Sequence, residues 1–256
     1  MSQKLSEKIA QAILSEEARR FLTQKKRQYR IQRTRVGNFD FGDFHQTRPV
    51  SSIFGIDRGK PIDRYYIEEF LNHNRKDIVG RCLEMGDSSY ITQFGTAVTR
   101  IDVLHYVEGN PKATIVGDLT DAPQIASDTF DCIIFTQTLQ MIYDLKAAMR
   151  TLHRILAPGG VLLLTSAGIG KIARHLDKDD WGEYWHLTTQ SMNKIFEETF
   201  PDAVVRIDSY GNVLSTTCFL QGLATEELPK SKLDVKDKSY ELLVVARAQK
   251  KQSNTN

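Results

Sequence analysis

Between residues 81 and 165 the sequence returns repeatedly to a short apolar run that stops at a polar or acidic turn. The runs are Arg81–Met85, 97–104, 113–116, Asp131–Phe135 and the VLLLT that follows Leu156-Ala157-Pro158-Gly159-Gly160. Helical spacing fills several intervals. One helix is expected over Ile62–Asn72. Another is expected after Asp144, a natural N-cap, with Leu145, Met149, Leu152 and Leu156 on one face. The Ala157–Gly160 stretch reads as the turn that ends this second helix. A threonine-capped helix is expected from about Thr189 to Phe200, and VVRIDSY and YELLVVARA read as two closing strands. Strands alternating with helices form right-handed βαβ units and a parallel sheet. Strands that are apolar almost throughout belong in a sheet covered on both faces. In such sheets ligands bind past the carboxyl ends of the strands, where the strand order reverses.

Those ends carry the chemistry. The first run closes in Glu84-Met85-Gly86-Asp87. The second is read as ending at Asp102 in RIDVL, beside Val103, with the acid 18 residues after Glu84. A carboxylate at about that distance from a glycine turn is placed to accept from both hydroxyls of a ribose. The third run closes in Val116-Gly117-Asp118-Leu119, an acid beside an apolar side chain, suited to an exocyclic amine and the ring that bears it. The fourth closes in Thr136-Gln137-Thr138-Leu139-Gln140, polar groups over the same crevice. A single acid at a strand end is an ordinary turn residue. Three acids at three successive strand ends make a constellation.

The series CLEMGD, RIDVL, VGDL, FDCIIFTQTLQMI and LHRILAPGGVLLLT resembles a class I S-adenosylmethionine-dependent methyltransferase, over roughly residues 62–248. The resemblance implies an α/β, Rossmann-like sheet of seven strands, mostly parallel with an antiparallel last strand and helices on both faces. The helical N-terminal extension is an addition to it. The closing strands match the antiparallel end of that fold. S-adenosylmethionine is the implied cofactor. Glu84, Met85 and Gly86 would border its methionine part. Asp102 and Val103 would meet the ribose, Asp118 and Leu119 the adenine, and Thr136 and Gln137 the amino group. Tyr66, on the helix before the first strand beside Arg64 and Tyr65, would lie over the cofactor. Its spacing to Phe70 equally fits a packing face.

One departure stands out. The family loop is an acid followed by Gly-x-Gly-x-Gly, and here Gly86 is followed by Asp87-Ser88-Ser89. Serines serve only if their φ values stay negative, because a positive φ without glycine costs on the order of 1 kcal/mol or more. The loop also argues against a nicotinamide dehydrogenase, whose pyrophosphate needs close-set glycines and would be repelled by Asp87.

On the acceptor side, the segment LDKDDWGEYWHLT (residues 176–188) offers Trp181, Tyr184 and Trp185 as an apolar or sugar-stacking wall. It offers His186 as a general base for a hydroxyl acceptor. A histidine before a helix is also a common capping residue. Asp177, Asp179 and Asp180 read as a solvated run, and no metal is expected. Gln140 is a possible acceptor ligand. A weaker likeness to a bacterial subgroup associated with sugar-transferring enzymes points to a saccharide or glycosylated natural product as acceptor.

Charge bounds the partners. The chain carries a net +2, yet residues 1–35 hold ten Lys or Arg against three Glu, leaving the rest at 2 − 7 = −5. A mildly acidic body with no Pro-rich catalytic tetrapeptide after the fourth strand disfavours nucleic acid. The basic arm is either a solvated helix, expected over residues 5–32, or a docking element for a partner protein, a second copy, an acidic glycan or a membrane surface. An alternative function follows: a degenerate cofactor-binding domain docked by its arm in a biosynthetic complex. Three cysteines, two in apolar runs, imply neither disulfides nor a metal site. MSQKLSEKIAQ reads as too polar for a leader and no apolar run approaches about 18 residues, so a cytoplasmic protein is expected. The expected division is an arm and loop-rich connector over 1–61, a methyltransferase domain over 62–250 and a polar tail over 251–256.

Overall fold

The computed structural model describes residues 15–32, 36–173 and 182–252. The chain forms two compact units, Met1–Thr47 and Arg48–Asn256. In the first, helix α1 (Glu16–Gln32) begins where the Ser15 hydroxyl accepts from the Ala18 amide. Two acids stand in its first turn, and an Arg20–Glu16 pair lies one turn apart. Residues 5–14 of the expected helix lie outside the described residues.

The second unit is built on seven strands: β1 (Val79–Met85), β2 (Ala97–His105), β3 (Ile115–Val116), β4 (Phe130–Thr136), β5 (Leu156–Ala167), β6 (Ala203–Tyr210) and β7 (Leu243–Lys250). Their order is β3-β2-β1-β4-β5-β7-β6. Strands β1 to β5 pair in parallel, and β7 runs antiparallel to both β5 and β6. β7 is therefore the one reversed strand, and β6 keeps the direction of the parallel set.

Helix α2 (Ile62–His73) precedes β1, and α3 (Ser89–Phe94) follows it. Helix α4 (Leu145–Ile155) joins β4 to β5, and α5 (Thr189–Thr199) precedes β6. Helices α6 (Val213–Leu220) and α7 (Lys230–Leu233) lie between β6 and β7. The links from β2 to β3 and from β3 to β4 are turns without a helix. The alternation of the sheet positions divides the core. Leu83, Ile133, Leu162, Val244 and Ala246 join one cluster with Met149 and Leu152 of α4 and Phe196 of α5. On the other face Val245 meets Tyr66 and Phe70 of α2 in a cleft of ≈ 430 Å³. Each fully buried large apolar side chain contributes roughly 1.5–3 kcal/mol.

Asp144 caps α4 through the Ala147 amide at 3.0 Å, as its sequence position implies. The far end differs from expectation. Ala157–Gly160 belongs to β5, which starts directly after the helix, and the irregularity appears as a register shift opposite Phe130 and Cys132 with Gly159 at φ 81°. The carbonyls released there are satisfied from a distant strand: Lys250 donates to the oxygens of His153 and Leu156 at 3.0 and 2.9 Å. Cys82 and Cys132, far apart in sequence, are register partners on β1 and β4, and both are buried.

Tyr66 resolves to the packing alternative. It is 1% exposed, its ring stacks on Tyr210 at 5.4 Å, and its hydroxyl donates to the Leu233 carbonyl at 2.9 Å. Tyr66→Phe leaves a buried carbonyl without that donor. The expected result is a loss of about 1 kcal/mol in denaturant unfolding with cofactor affinity unchanged.

Residues 48–61, grouped with the arm on sequence, pack on the second unit. The Ser51 amide donates to Gln221, and Pro61 bridges to Ala224. Phe54, at φ 62°, stacks obliquely on Phe219 at 5.8 Å. No described helix is long and apolar enough to cross a membrane.

Candidate active site

The strand order reverses between β1 and β4, and a cleft of ≈ 390 Å³ opens there at the carboxyl edge. Its floor is Glu84, Met85, Gly86 and Asp87 from β1 and its turn, with Thr136, Gln137 and Gln140 from the end of β4. Asp63, Arg64 and Ile67 of α2 form one wall. Phe54, Lys171, Glu183 and Phe219 close the other side.

The single-glycine loop has a simple construction. Gly86 adopts φ 79°, and a Cβ placed there would meet nothing within 4 Å, so the backbone faces open space. Its amide donates to the Leu104 carbonyl at 2.9 Å, and its carbonyl accepts from Asn110 at 2.6 Å. Ser88 holds φ −118°, and neither it nor Asp87 or Ser89 takes a positive φ. One left-handed position is therefore all this turn requires, and Gly86 supplies it.

Glu84 is 2% exposed, and its two oxygens accept from the Tyr90 and Ile91 amides at 3.1 and 2.8 Å, the open N–H groups at the start of α3. Burial pushes its carboxyl up to about 7, against the pull of those two donors. Asp87 is held below the ordinary range, chiefly by the amide and hydroxyl of Ser89. Burial raises the Asp63 carboxyl and lowers the Lys171 ammonium, which lies 4.1 Å from the Phe54 ring centre. Gln137 takes φ 48°, a left-handed conformation rare for glutamine and found where a site imposes it. Its amide donates to Thr165, and the Thr136 carbonyl accepts from the Thr138 hydroxyl at 2.8 Å.

The other expected residues divide. Asp102 does not reach the cleft. It sits three residues before the end of β2, about 10 Å short of the carboxyl edge. Its side chain, 2% exposed, is held by Arg81 at 2.7 Å and Arg100 at 3.2 Å, with Thr114 at 3.3 Å. The residue at that edge is His105, bonded to the Val107 carbonyl. Val103 and Leu119 are buried in the core. Asp118 is exposed just past β3 and accepts from the Thr120 amide at 2.8 Å. His186 stands outside the cleft wall, 3.2 Å from Glu183. Tyr184 and Trp185 flank the cleft, their amides both donating to the Gln140 carbonyl at 2.8 and 3.2 Å. Trp181 and the acids Asp177, Asp179 and Asp180 lie outside the described residues. Among the described residues no group of three metal-ligating side chains converges.

Asp63, Phe54, Lys171, Glu183 and Phe219 were not marked by the sequence. An acid in the first turn of a helix reads as a dipole partner, and an aromatic in a loop reads as packing. Only the fold brings them to one crevice.

A family model described as a methyltransferase domain matches residues 59–202, more than half of the chain. The chain belongs to that family and is an S-adenosylmethionine-dependent methyltransferase. Solved structures similar to it include the YcgJ protein of Bacillus subtilis, at 12% identity and TM-score 0.49 over 74% of this chain and 100% of that one. An S-adenosylmethionine-dependent methyltransferase from Mesorhizobium loti is 14% identical, with TM-score 0.47 over 77% and 100%. The N-methyltransferase NodS from Bradyrhizobium japonicum is 17% identical, with TM-score 0.43 over 75% and 98%. No curated protein matches the chain.

Proposed function

We propose that this enzyme methylates a hydroxyl of a small molecule, a saccharide or a glycosylated natural product, in the cytoplasm. The observation that carries the reading is an exposed aromatic platform beside the cleft. Tyr143, Tyr184 and Trp185 are 72%, 55% and 37% exposed. Tyr143 meets Tyr184 edge-on at 5.3 Å and stacks with Trp185 at 6.2 Å. The indole N–H donates to Ile142 at 3.1 Å, and Gln140 ties the platform to the cleft floor. Rings with apolar faces and polar tips suit a flat, partly polar ligand such as a pyranose or a phenolic aglycone.

The cleft fits the cofactor that the family implies. Its four carboxylates, Asp63, Glu84, Asp87 and Glu183, outnumber its two cations, Arg64 and Lys171, which favours a ligand with a sulfonium and an ammonium. Glu84, Met85, Gly86, Thr136 and Gln137 would hold its methionine part, with Arg64 the cation nearest for a carboxylate. Asp118 is the acid left on the adenine side. When bound, S-adenosylmethionine supplies a methyl group as a carbon electrophile and departs as S-adenosylhomocysteine. The chain's own task is to exclude water and align the acceptor oxygen. Phe54 and Phe219 serve the first, the platform the second. His186 is not among the residues that line the cleft and lies 3.2 Å from Glu183, which leaves the cleft carboxylates as the nearer proton acceptors for a hydroxyl.

Calorimetric titration with S-adenosylmethionine and S-adenosylhomocysteine, followed by a screen of methyl glycosides and phenols with labelled donor, tests the reading. Label on a sugar or phenol oxygen supports it, and transfer confined to amines overturns it. Trp185→Ala is expected to raise the acceptor KM by about tenfold while leaving S-adenosylhomocysteine affinity unchanged, as for loss of one aromatic anchor. A second reading, a domain docked in a complex by its arm, is favoured by Phe21 and Leu22, which are 58% and 51% exposed on the basic helix α1. Turnover with any acceptor removes it.

A further inference from the structure

We propose that Asp63 is the catalytic base, presented to the acceptor by a one-way hydrogen-bond chain that runs from Ser166 through Gln140 and Gln137. This rests on the reading of a hydroxyl acceptor.

The chain joins β5, the polar turn that follows β4, and α2. The Ser166 hydroxyl on β5 donates to Gln140 Oε1 at 3.1 Å. Gln140 Nε2 donates to Gln137 Oε1 at 2.7 Å, and Gln137 Nε2 donates to Asp63 Oδ2 at 3.4 Å. Its direction is dictated by its last member. An ionised carboxylate only accepts, so Gln137 must turn its NH₂ toward Asp63. Its oxygen then faces Gln140, whose NH₂ must answer it, and the remaining amide oxygen is left for the serine O–H. Ser166 and Gln140 are 0% and 3% exposed, so water does not compete for the link between them.

The other cleft carboxylates are committed. Glu84 gives each oxygen to an amide of α3. Asp87 holds the amide and hydroxyl of Ser89 with one oxygen and faces Lys112 at 3.7 Å with the other. Glu183 accepts from the Ala173 amide with one oxygen, and the other lies 3.2 Å from His186 Nε2. Asp63 Oδ1 accepts from the Arg64 amide at 2.8 Å. Among the described residues, Asp63 Oδ2 is the cleft carboxylate oxygen held only by one long bond from a side-chain amide. The charged and titratable groups around it are Arg64 on its own helix, Tyr90 on α3, Glu84 and Asp87 at the β1 edge, and Lys171 and Glu183 opposite. Burial raises its carboxyl, which moves its basicity toward the working pH.

In the step, the acceptor O–H bond breaks and its proton goes to Asp63 Oδ2. The electron pair stays on the acceptor oxygen and forms the new bond to the methyl carbon. The carbon–sulfur pair remains on sulfur, and the carboxyl returns its proton to solvent after product leaves.

The test compares wild type, Asp63→Asn and Gln140→Leu in three measurements. S-adenosylhomocysteine calorimetry is expected to give affinities within about threefold for wild type and Asp63→Asn. Turnover of the phenol and glycoside acceptors is expected to fall about 10²- to 10³-fold in kcat for Asp63→Asn, with the acid limb of the pH profile lost. Carboxyl NMR of labelled aspartate is expected to find Asp63 titrating above the ordinary range, and higher still in Gln140→Leu, where the donor chain is cut. Loss of more than about tenfold in S-adenosylhomocysteine affinity in Asp63→Asn would make the residue a cofactor ligand and overturn the assignment. So would an ordinary titration unmoved in Gln140→Leu, or a surviving acid limb. Failure of wild type to bind S-adenosylhomocysteine is a different result, which strikes the cofactor reading beneath the proposal.

Discussion

Asp102→Ala is expected to lower stability by about 2–3 kcal/mol and to leave the affinity for S-adenosylhomocysteine within about threefold of wild type. From its position in the sequence the same substitution would abolish binding, so the two views of this residue part cleanly. The carboxylate is almost wholly buried, and two guanidiniums and a threonine hydroxyl converge on it. Removing it leaves Arg81, whose side chain is 33% exposed and whose guanidinium lies 5.1 Å from the Phe130 ring centre, without its countercharge in a half-buried place. Loss of one partner of a fully buried pair costs about 3–5 kcal/mol, and the exposure of the arginines brings the figure down. Arg100, at 62% exposure, is the control: Arg100→Ala should cost no more than about 1 kcal/mol. Burial raises the Asp102 carboxyl, and the arginines more than reverse it, so it lies below the ordinary range. Its contribution is thus present above the unfolded value and lost as pH falls through the lower folded one. Urea unfolding beside calorimetry decides the matter. An unchanged midpoint with binding lost would return Asp102 to the cofactor.

Glu84 is expected to show the opposite sign. Its folded carboxyl titrates at about 7, against an ordinary 4.5 for the unfolded chain. Between those values the folded state keeps a proton that the unfolded state has released. The contribution is therefore full below pH 4.5 and declines as pH rises toward 7, by on the order of 3 kcal/mol. A cationic cofactor favours the ionised form, so affinity for S-adenosylmethionine should rise about tenfold from pH 6 to pH 8 while the cofactor-free protein loses stability. Glu84→Gln should flatten both trends. It should also weaken binding at pH 8 by about 10- to 100-fold, the worth of a charged hydrogen-bond partner. Calorimetry and thermal unfolding across the pH range measure both. Persistence of the rise in Glu84→Gln would assign it to another group.

The fold was largely written in the strand and helix periods, and the edge of the sheet in the polar turns that end each apolar run. Glu84, Gly86, Thr136 and Gln137 lie at the crevice because a chain leaving a buried strand must turn where it meets water. Asp102 escaped that logic. Val103 and Leu104 continue the apolar run beyond it, and the true end of β2 is set by pairing, where the Gly86 amide meets Leu104 and His105 lies beside Val116. Tyr66 was ambiguous for a related reason: the helical period places it with Phe70, but only the presence of Tyr210 and Leu233 says what that face covers.

By itself, then, the sequence determined the parallel sheet, the polar turns that mark its carboxyl edge, and the place of Glu84 and Gly86 in the first of them. These follow from local spacing and backbone sterics, which act over a few residues. The tertiary structure alone decided which carboxylates face the crevice and which are spent elsewhere. It also brought Asp63 within reach of Gln137 and laid Phe54 and Phe219 together over the opening. Register and long-range packing make those choices, because a side chain's partners 21 to 170 positions away leave no mark on its own neighbours in the chain.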